Sequence, residues 1–136
     1  MVLITCVDQK NGLSFNGRRQ TSDSAVYADI CNYAADHFCG IEMASSTMEA
    51  MSGYLRRIGS ETNPAATEPK QARFAEMDDC QGLDTLYDTL ILYRWDKTYP
   101  ADTFLSIGLQ HYRLIEKQEM TGSSHKTIVK EVYKHL

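Results

Sequence analysis

The chain opens on an unbroken apolar run, Val2 to Val7, that stops at Asp8 and gives way to the turn-rich stretch NGLSFNG. The run is rich in β-branched residues and does not alternate, so it predicts a central strand buried on both faces. Two Asn-Gly pairs, Asn11-Gly12 and Asn16-Gly17, predict tight turns directly after it. From Ser22 to His37 the period changes: Val26, Ile30, Tyr33 and Ala34 recur at helical spacing behind a serine and an aspartate, which predicts a helix. FCGIEMA then reads as a short strand, and SSTMEAMSGYLRRIG as a helix. Hydroxyl residues suit its N-cap, Glu49 falls in its first turn and Gly59 ends it.

In the second half, SETNPAATEPKQ is polar, carries two prolines and lacks periodicity, so it reads as a surface loop. Too little chain lies on either side for it to link two independent cores. ARFAEM reads as a strand, DDCQGLDTLYDT as a turn with a short helix, and LILYRW as the most strand-like segment of all. HYRLIEKQEM and KTIVKEVYKHL alternate loosely around a polar loop and predict an antiparallel hairpin at a sheet edge. The sum is one three-layer α/β domain over residues 1–136, with a mainly parallel central sheet and an antiparallel C-terminal edge hairpin. In such sheets ligands bind beyond the carboxyl ends of the strands, which points to residues 8 to 20, Ala44 to Thr47 and Glu76 to Gln81.

Composition narrows the function classes. At 136 residues, with 43% hydrophobic and 24% charged residues, the chain is long enough for one ordinary core and is not disordered. Its net charge is -4, and its cations (Arg18-Arg19, Arg56-Arg57, the C-terminal lysines) are scattered, so no nucleic-acid partner is expected. The start has no basic leader and its apolar run is too short for a bilayer, so a cytoplasmic protein without membrane attachment is expected. Cys6, Cys31, Cys39 and Cys80 show no C-x-x-C spacing and no adjoining histidine pair, so no metal site is expected. Cys6 and Cys31, within apolar runs, read as small buried hydrophobes of a reducing compartment. The four histidines are isolated; metal-free acid-base cleavage by His125 needs a titratable partner that only the fold can supply.

The segment LITCVDQKNGLSFNGRRQ is similar to the first strand and following loop of dihydrofolate reductases, with Gly12, Leu13, Asn16 and Gly17 on the family pattern. IEMASSTMEAM resembles the next strand and helix of that family, where Thr47 and Glu49 match. Ala101-Asp102-Thr103 stands at the family's Gly-Asp-Thr step, and the final hairpin carries Tyr112 where tryptophan is common. The resemblance runs through nearly the whole chain and implies a divergent, shortened dihydrofolate reductase-like domain.

Three departures qualify what the resemblance implies about activity. Gln20 and Thr21 stand where proline and tryptophan close the first loop. Val26 stands where the family carries the carboxylate that helps protonate the pterin ring, which leaves Asp23 and Asp29, one helical turn before and after, as catalytic candidates. The plainer reading has Asp23 capping the helix and Asp29 facing solvent. Where the family's Gly-Gly step approaches the cofactor pyrophosphate, Glu76, Asp78 and Asp79 place negative charge, and Ser45 or Ser46 replaces the basic residue that meets the ribose phosphate. Standard NADPH binding is therefore disfavoured, and ASST reads more plainly as a helix cap.

The expected function is a module that keeps the fold without ordinary reductase activity. A ligand would sit beside Thr5, Cys6, Gly12, Arg18, Arg19, Ser45, Ser46 and Thr47. The partner is a small molecule or a protein, with self-association open. Tyr93, Arg94, Trp95 and Tyr99 are residue types common at interfaces and equally common in sheet cores. The alternative is an NAD(P)H-dependent reductase of a small heterocycle with a non-standard cofactor site.

Overall fold

The structure is a computed structural model that describes residues 1–136 apart from Asp79 and Asp84. The apolar run at the start forms β1 (Val2–Val7), with β5 (Lys70–Phe74) and β6 (Thr89–Trp95) parallel to it on its two sides. Beyond β5 lies β4 (Gly40–Met43), also parallel. Beyond β6 lies β9 (Ile128–His135), antiparallel to β6 and to the edge strand β8 (Tyr112–Met120). The sheet order is β4-β5-β1-β6-β9-β8. A smaller sheet is built from β2 (Gly12–Phe15), β3 (Arg18–Arg19) and β7 (Thr103–Phe104).

The continuous hydrophobicity of β1 is explained by two cores, one on each face. Helices α1 (Ser24–Asp36) and α2 (Ser45–Ile58) cover one face, where Val26, Ile30, Met51 and Leu55 pack on Ile4, Ile41, Phe74 and Ile91. On the other face Leu3, Val7, Leu90 and Leu92 meet Leu13, Cys80, Tyr87 and Ile107, so the third layer is the small sheet and irregular chain. The four cysteines are free thiols, and three of them are buried. Among the described residues no helix is long and apolar enough to cross a membrane.

Two local expectations are corrected. In the 78–89 stretch, of which Asp79 and Asp84 lie outside the described residues, the described residues before β6 form turns and irregular chain in place of the expected short helix, and Cys80 and Gly82 adopt left-handed backbone (φ 59 and 75) that an α-helix does not continue through. At α2 the N-cap is Ala44, which has no side-chain bond, and no acid lies in the first turn. Strand β4 runs to Met43 and leaves one residue for the connection, so the hydroxyls of Ser45, Ser46 and Thr47 are already inside the helix and Glu49 falls in its second turn.

The two outer edges of the main sheet differ. Along β4 the loop after α2 folds back: Pro69 O accepts from Gly40 N at 2.8 Å, and a Cβ on Gly40 would stand 1.8 Å from Thr67 O. Only glycine permits that approach, and it covers the edge. Along β8 the residues from Arg113 to Glu119 are exposed.

Candidate functional site

At the carboxyl end of β1 the chain turns around Asp8. Its Oδ1 accepts from Lys10 N and Gly12 N, both at 2.8 Å, and its Oδ2 accepts from Gln20 Nε2 at 3.0 Å and Tyr99 N at 3.2 Å. Burial raises the Asp8 pKa, but these donors outweigh it and leave the carboxyl below its ordinary value. Arg94 fastens the turn by donating to Asp8 O and Asn11 Oδ1, while its other nitrogens pair with Glu131. A Cβ on Gly12 would stand 2.6 Å from Asp8 Oδ2, so Gly12 serves the turn. Asn16 and Gly17 both take positive φ (52 and 70) and join β2 to β3, leaving Arg18 exposed near the hairpin tip.

The doubled arginine splits in role. Arg19 turns inward and its guanidinium meets Glu76 with contacts of 3.0 to 3.2 Å, while Nη2 also donates to Ser46 O at 3.1 Å. The Glu76 side chain is only 5% exposed, so its charge is answered inside the fold. Asp78 is paired with Arg73 at 2.6 Å and accepts from Cys80 N; Asp79 lies outside the described residues. Cys6 lies in this neighbourhood, and burial, then Glu76 and Asp23, push its thiol well above the ordinary value, so it is no nucleophile. Thr5 and Thr47 are buried, whereas Ser45 and Ser46 are exposed. Of the sequence candidates, the fold thus gathers Cys6, Arg19 and the Ser46 backbone, and leaves Gly12 and Arg18 apart in the loop.

Asp23 is the N-cap of α1 and also holds the loop between β8 and β9. Its Oδ1 accepts from Ala25 N, Ser123 N and Ser123 Oγ at 2.8 to 3.0 Å. Its Oδ2 accepts from Ser124 N and Oγ and from His125 N at 2.9 to 3.1 Å. The His125 ring completes the set, with Nδ1 3.1 Å from Oδ2 and Nε2 2.9 Å from the Tyr99 hydroxyl. The ring also stacks on Trp95, with centroids 4.4 Å apart. Burial would raise the Asp23 pKa; the donors from Ser123, Ser124, His125 and Ala25 overcome it and hold the carboxyl well below the carboxylate range. His125 does find the titratable partner that acid-base cleavage needs, and both side chains are buried.

Asp29 does not face solvent freely. Its Oδ2 accepts from the Tyr93 hydroxyl at 2.6 Å and from Lys130 Nζ at 2.7 Å. Burial, then the Asp29 charge, push the Tyr93 pKa far above the phenol value, so that hydroxyl stays protonated. Tyr93 and Trp95 are buried in the core, Arg94 is paired and Tyr99 bonds to His125, which overturns the interface reading of this segment.

A cavity of about 610 Å³ opens between α1 and α2 next to the Arg19–Glu76 pair, lined by Arg19, Ser22, Tyr27, Gly53, Tyr54, Arg56 and Arg57, with Ala50. Ala50, Gly53, Tyr54 and Arg57 recur at i, i+3, i+4 and i+7, which places them on one face of α2. Arg56 and Arg57 have no ion-pair partner among the described residues. Tyr27 is 5% exposed, and among the described residues its hydroxyl makes no well-formed hydrogen bond, with the Ser22 side chain its polar neighbour. Burial and the Glu76 charge push the Tyr27 pKa up to about 12. Thr5 Oγ1 and Gln20 Oε1 are likewise buried without partners. A separate hollow of about 420 Å³ lies between the helices by Cys31, Phe38 and Ile58, and its lining carries no charge. Tyr27, Gly53, Arg56 and Arg57 were not singled out as site residues from the sequence; the i, i+3, i+4, i+7 recurrence of small and basic residues in α2 was the available signal.

A mainly parallel sheet closed by an antiparallel hairpin, with its helices leading away from the strands' carboxyl ends, is a layered α/β fold. Specifically, it is the dihydrofolate reductase-like fold: among solved structures the chain is similar to dihydrofolate reductase from Enterococcus faecalis complexed with NADP(H) and RAB-propyl, with a TM-score of 0.62 over 99% of this chain and 96% of that one. The identity is 10%, so the likeness is one of fold. No protein-family model and no curated protein matches the chain.

Proposed function

We propose that this domain binds a small molecule carrying a phosphate or carboxylate in the cavity between α1 and α2, and performs no ordinary dihydrofolate reduction. The observation that carries the reading is the state of the acids. Asp23 is enclosed by donors that keep it ionised, Asp29 is held by Tyr93 and Lys130, and Glu76 is locked to Arg19. A general acid must hold a proton near neutral pH and reach the substrate; Asp23 is buried among donors that favour its ionised form, and the Glu76 carboxyl is turned to Arg19.

Support for binding comes from the other side of the same neighbourhood. Arg56 and Arg57 present guanidinium donors beside Ser22 and Tyr54, and such forks match the oxygens of phosphate and carboxylate. Gly53 sits mid-helix on this wall, where glycine costs roughly 1 kcal/mol relative to alanine, and it keeps the wall low.

The test is a fluorescence titration with NADPH joined to an assay of dihydrofolate turnover. The proposal expects no turnover at any cofactor concentration. Saturable NADPH binding accompanied by reduction would overturn it in favour of a reductase with a non-standard cofactor site.

A further inference from the structure

The cavity beside Arg56 and Arg57 continues past Arg57. A second hollow of about 380 Å³ adjoins it, and Ser22, Tyr54 and Arg57 line both. Its far wall comes from the start of α1 and from the β8–β9 loop, as Ser24, Ser123 and Ser124. That wall is held in place from behind. Ser24 N donates to Ser123 Oγ at 3.0 Å, and the loop amides close on the Asp23 carboxylate. A Cβ on Gly122 would stand 2.4 Å from Asp23 Oδ2, so only glycine lets the loop come so near.

The two hollows differ in what they ask of a ligand. A serine hydroxyl has one proton to give and two lone pairs with which to accept. Ser123 Oγ gives its proton to Asp23 Oδ1 at 3.0 Å, and Ser124 Oγ lies 2.9 Å from Ser22 O and 3.1 Å from Asp23 Oδ2, both acceptors. Their remaining capacity is to accept. Ser24 Oγ has no hydrogen-bond partner among the described residues and can act either way. An anion against this wall would meet the Asp23 carboxylate behind it, whereas an ammonium group would meet the Arg57 guanidinium at its edge. Neutral hydroxyls fit both. Tyr54 and Ile58 add apolar surface for the C–H faces of the same molecule. We propose that the ligand is a phosphate monoester of a polyol, its phosphate held by Arg56 and Arg57 and its hydroxyls donating to the serine wall. The inference rests on the anion site proposed above and adds the identity of the group attached to the anion.

The test is isothermal titration of the full chain with three esters: ribose phosphate esterified at its primary hydroxyl, phenyl phosphate and aminoethyl phosphate. The titrations are repeated on S24A and S24L, with folding checked by circular dichroism. Ribose phosphate is expected to bind the wild type about tenfold tighter than phenyl phosphate does. S24A should reduce that advantage and S24L, which fills the hollow, should abolish it, while phenyl phosphate binds all three proteins equally. Phenyl phosphate binding as tightly as ribose phosphate, aminoethyl phosphate binding more tightly than ribose phosphate, or an advantage that survives S24L would overturn the inference and leave the anion site standing. Failure of every ester to bind would overturn the anion site itself, and this inference with it.

Discussion

Asp23 at the start of α1 and Tyr27 one turn later carry polar atoms to the same end of the sheet, and those atoms are treated in opposite ways. Around Asp23 every donor of the β8–β9 loop within reach is turned to the carboxylate, and His125 passes the chain of hydrogen bonds on to Tyr99. Around Tyr27 the buried hydroxyl has only Ser22 near it, and two arginines on the facing helix are in no ion pair among the described residues. A buried polar group left without a partner costs about 1–3 kcal/mol, so a satisfied cluster is what holds a fold together. An unsatisfied one beside a cavity is what a fold keeps open for something else. The difference supports the proposal that Asp23 serves the architecture and that the ligand site lies on α2.

The hardest way to break the comparison is at Asp23. D23A removes a helix cap and strands the amides of Ser123, Ser124 and His125, and is expected to cost about 4 kcal/mol in chemical denaturation. Because the Asp23 pKa is lower in the folded chain than in the unfolded one, its contribution is whole above about pH 5 and is lost as pH falls from there through the folded value. Wild-type stability should therefore decline on the acid side more steeply than that of D23A. Next comes Arg19: R19A leaves the Glu76 carboxylate buried without its cation, and with Arg19 partly exposed the expected loss is about 2–3 kcal/mol.

The remaining changes sharpen the contrast by running the other way. Y27F deletes a buried hydroxyl with no well-formed hydrogen bond, so stability should hold or rise by up to about 1 kcal/mol; a clear loss would show that the contact with Ser22 matters. G53A should raise stability by about 0.5–1 kcal/mol through helix propensity, since a Cβ there meets only Arg56 Nη2 at 3.9 Å. In narrowing the cavity it should weaken ligand binding. Stabilisation together with loss of binding separates a functional glycine from an indifferent one.

What could be read from the sequence was local. The apolar run of β1, the helical period of α1 and the paired alternation of β8 and β9 each lie within one segment, and each formed as expected. The site was not local. Asp23 meets Ser123 across 100 positions and Arg19 meets Glu76 across 57, so neither pairing leaves a periodic trace in the chain. Arg19 and Glu76 were both visible as charges, but only the crossing of β3 beside the end of β5 shows that they answer each other. The aromatic segment Tyr93 to Tyr99 was ambiguous for the same reason: residue type alone does not separate an anchor from a core when the sheet buries both faces.

The most direct measurement is isothermal titration of phenyl phosphate into the wild type and the R56A/R57A double variant. The account predicts saturable one-site binding by the wild type, lost in the double variant at unchanged thermal stability. Absence of binding by the wild type, or equal binding by both proteins, would contradict it.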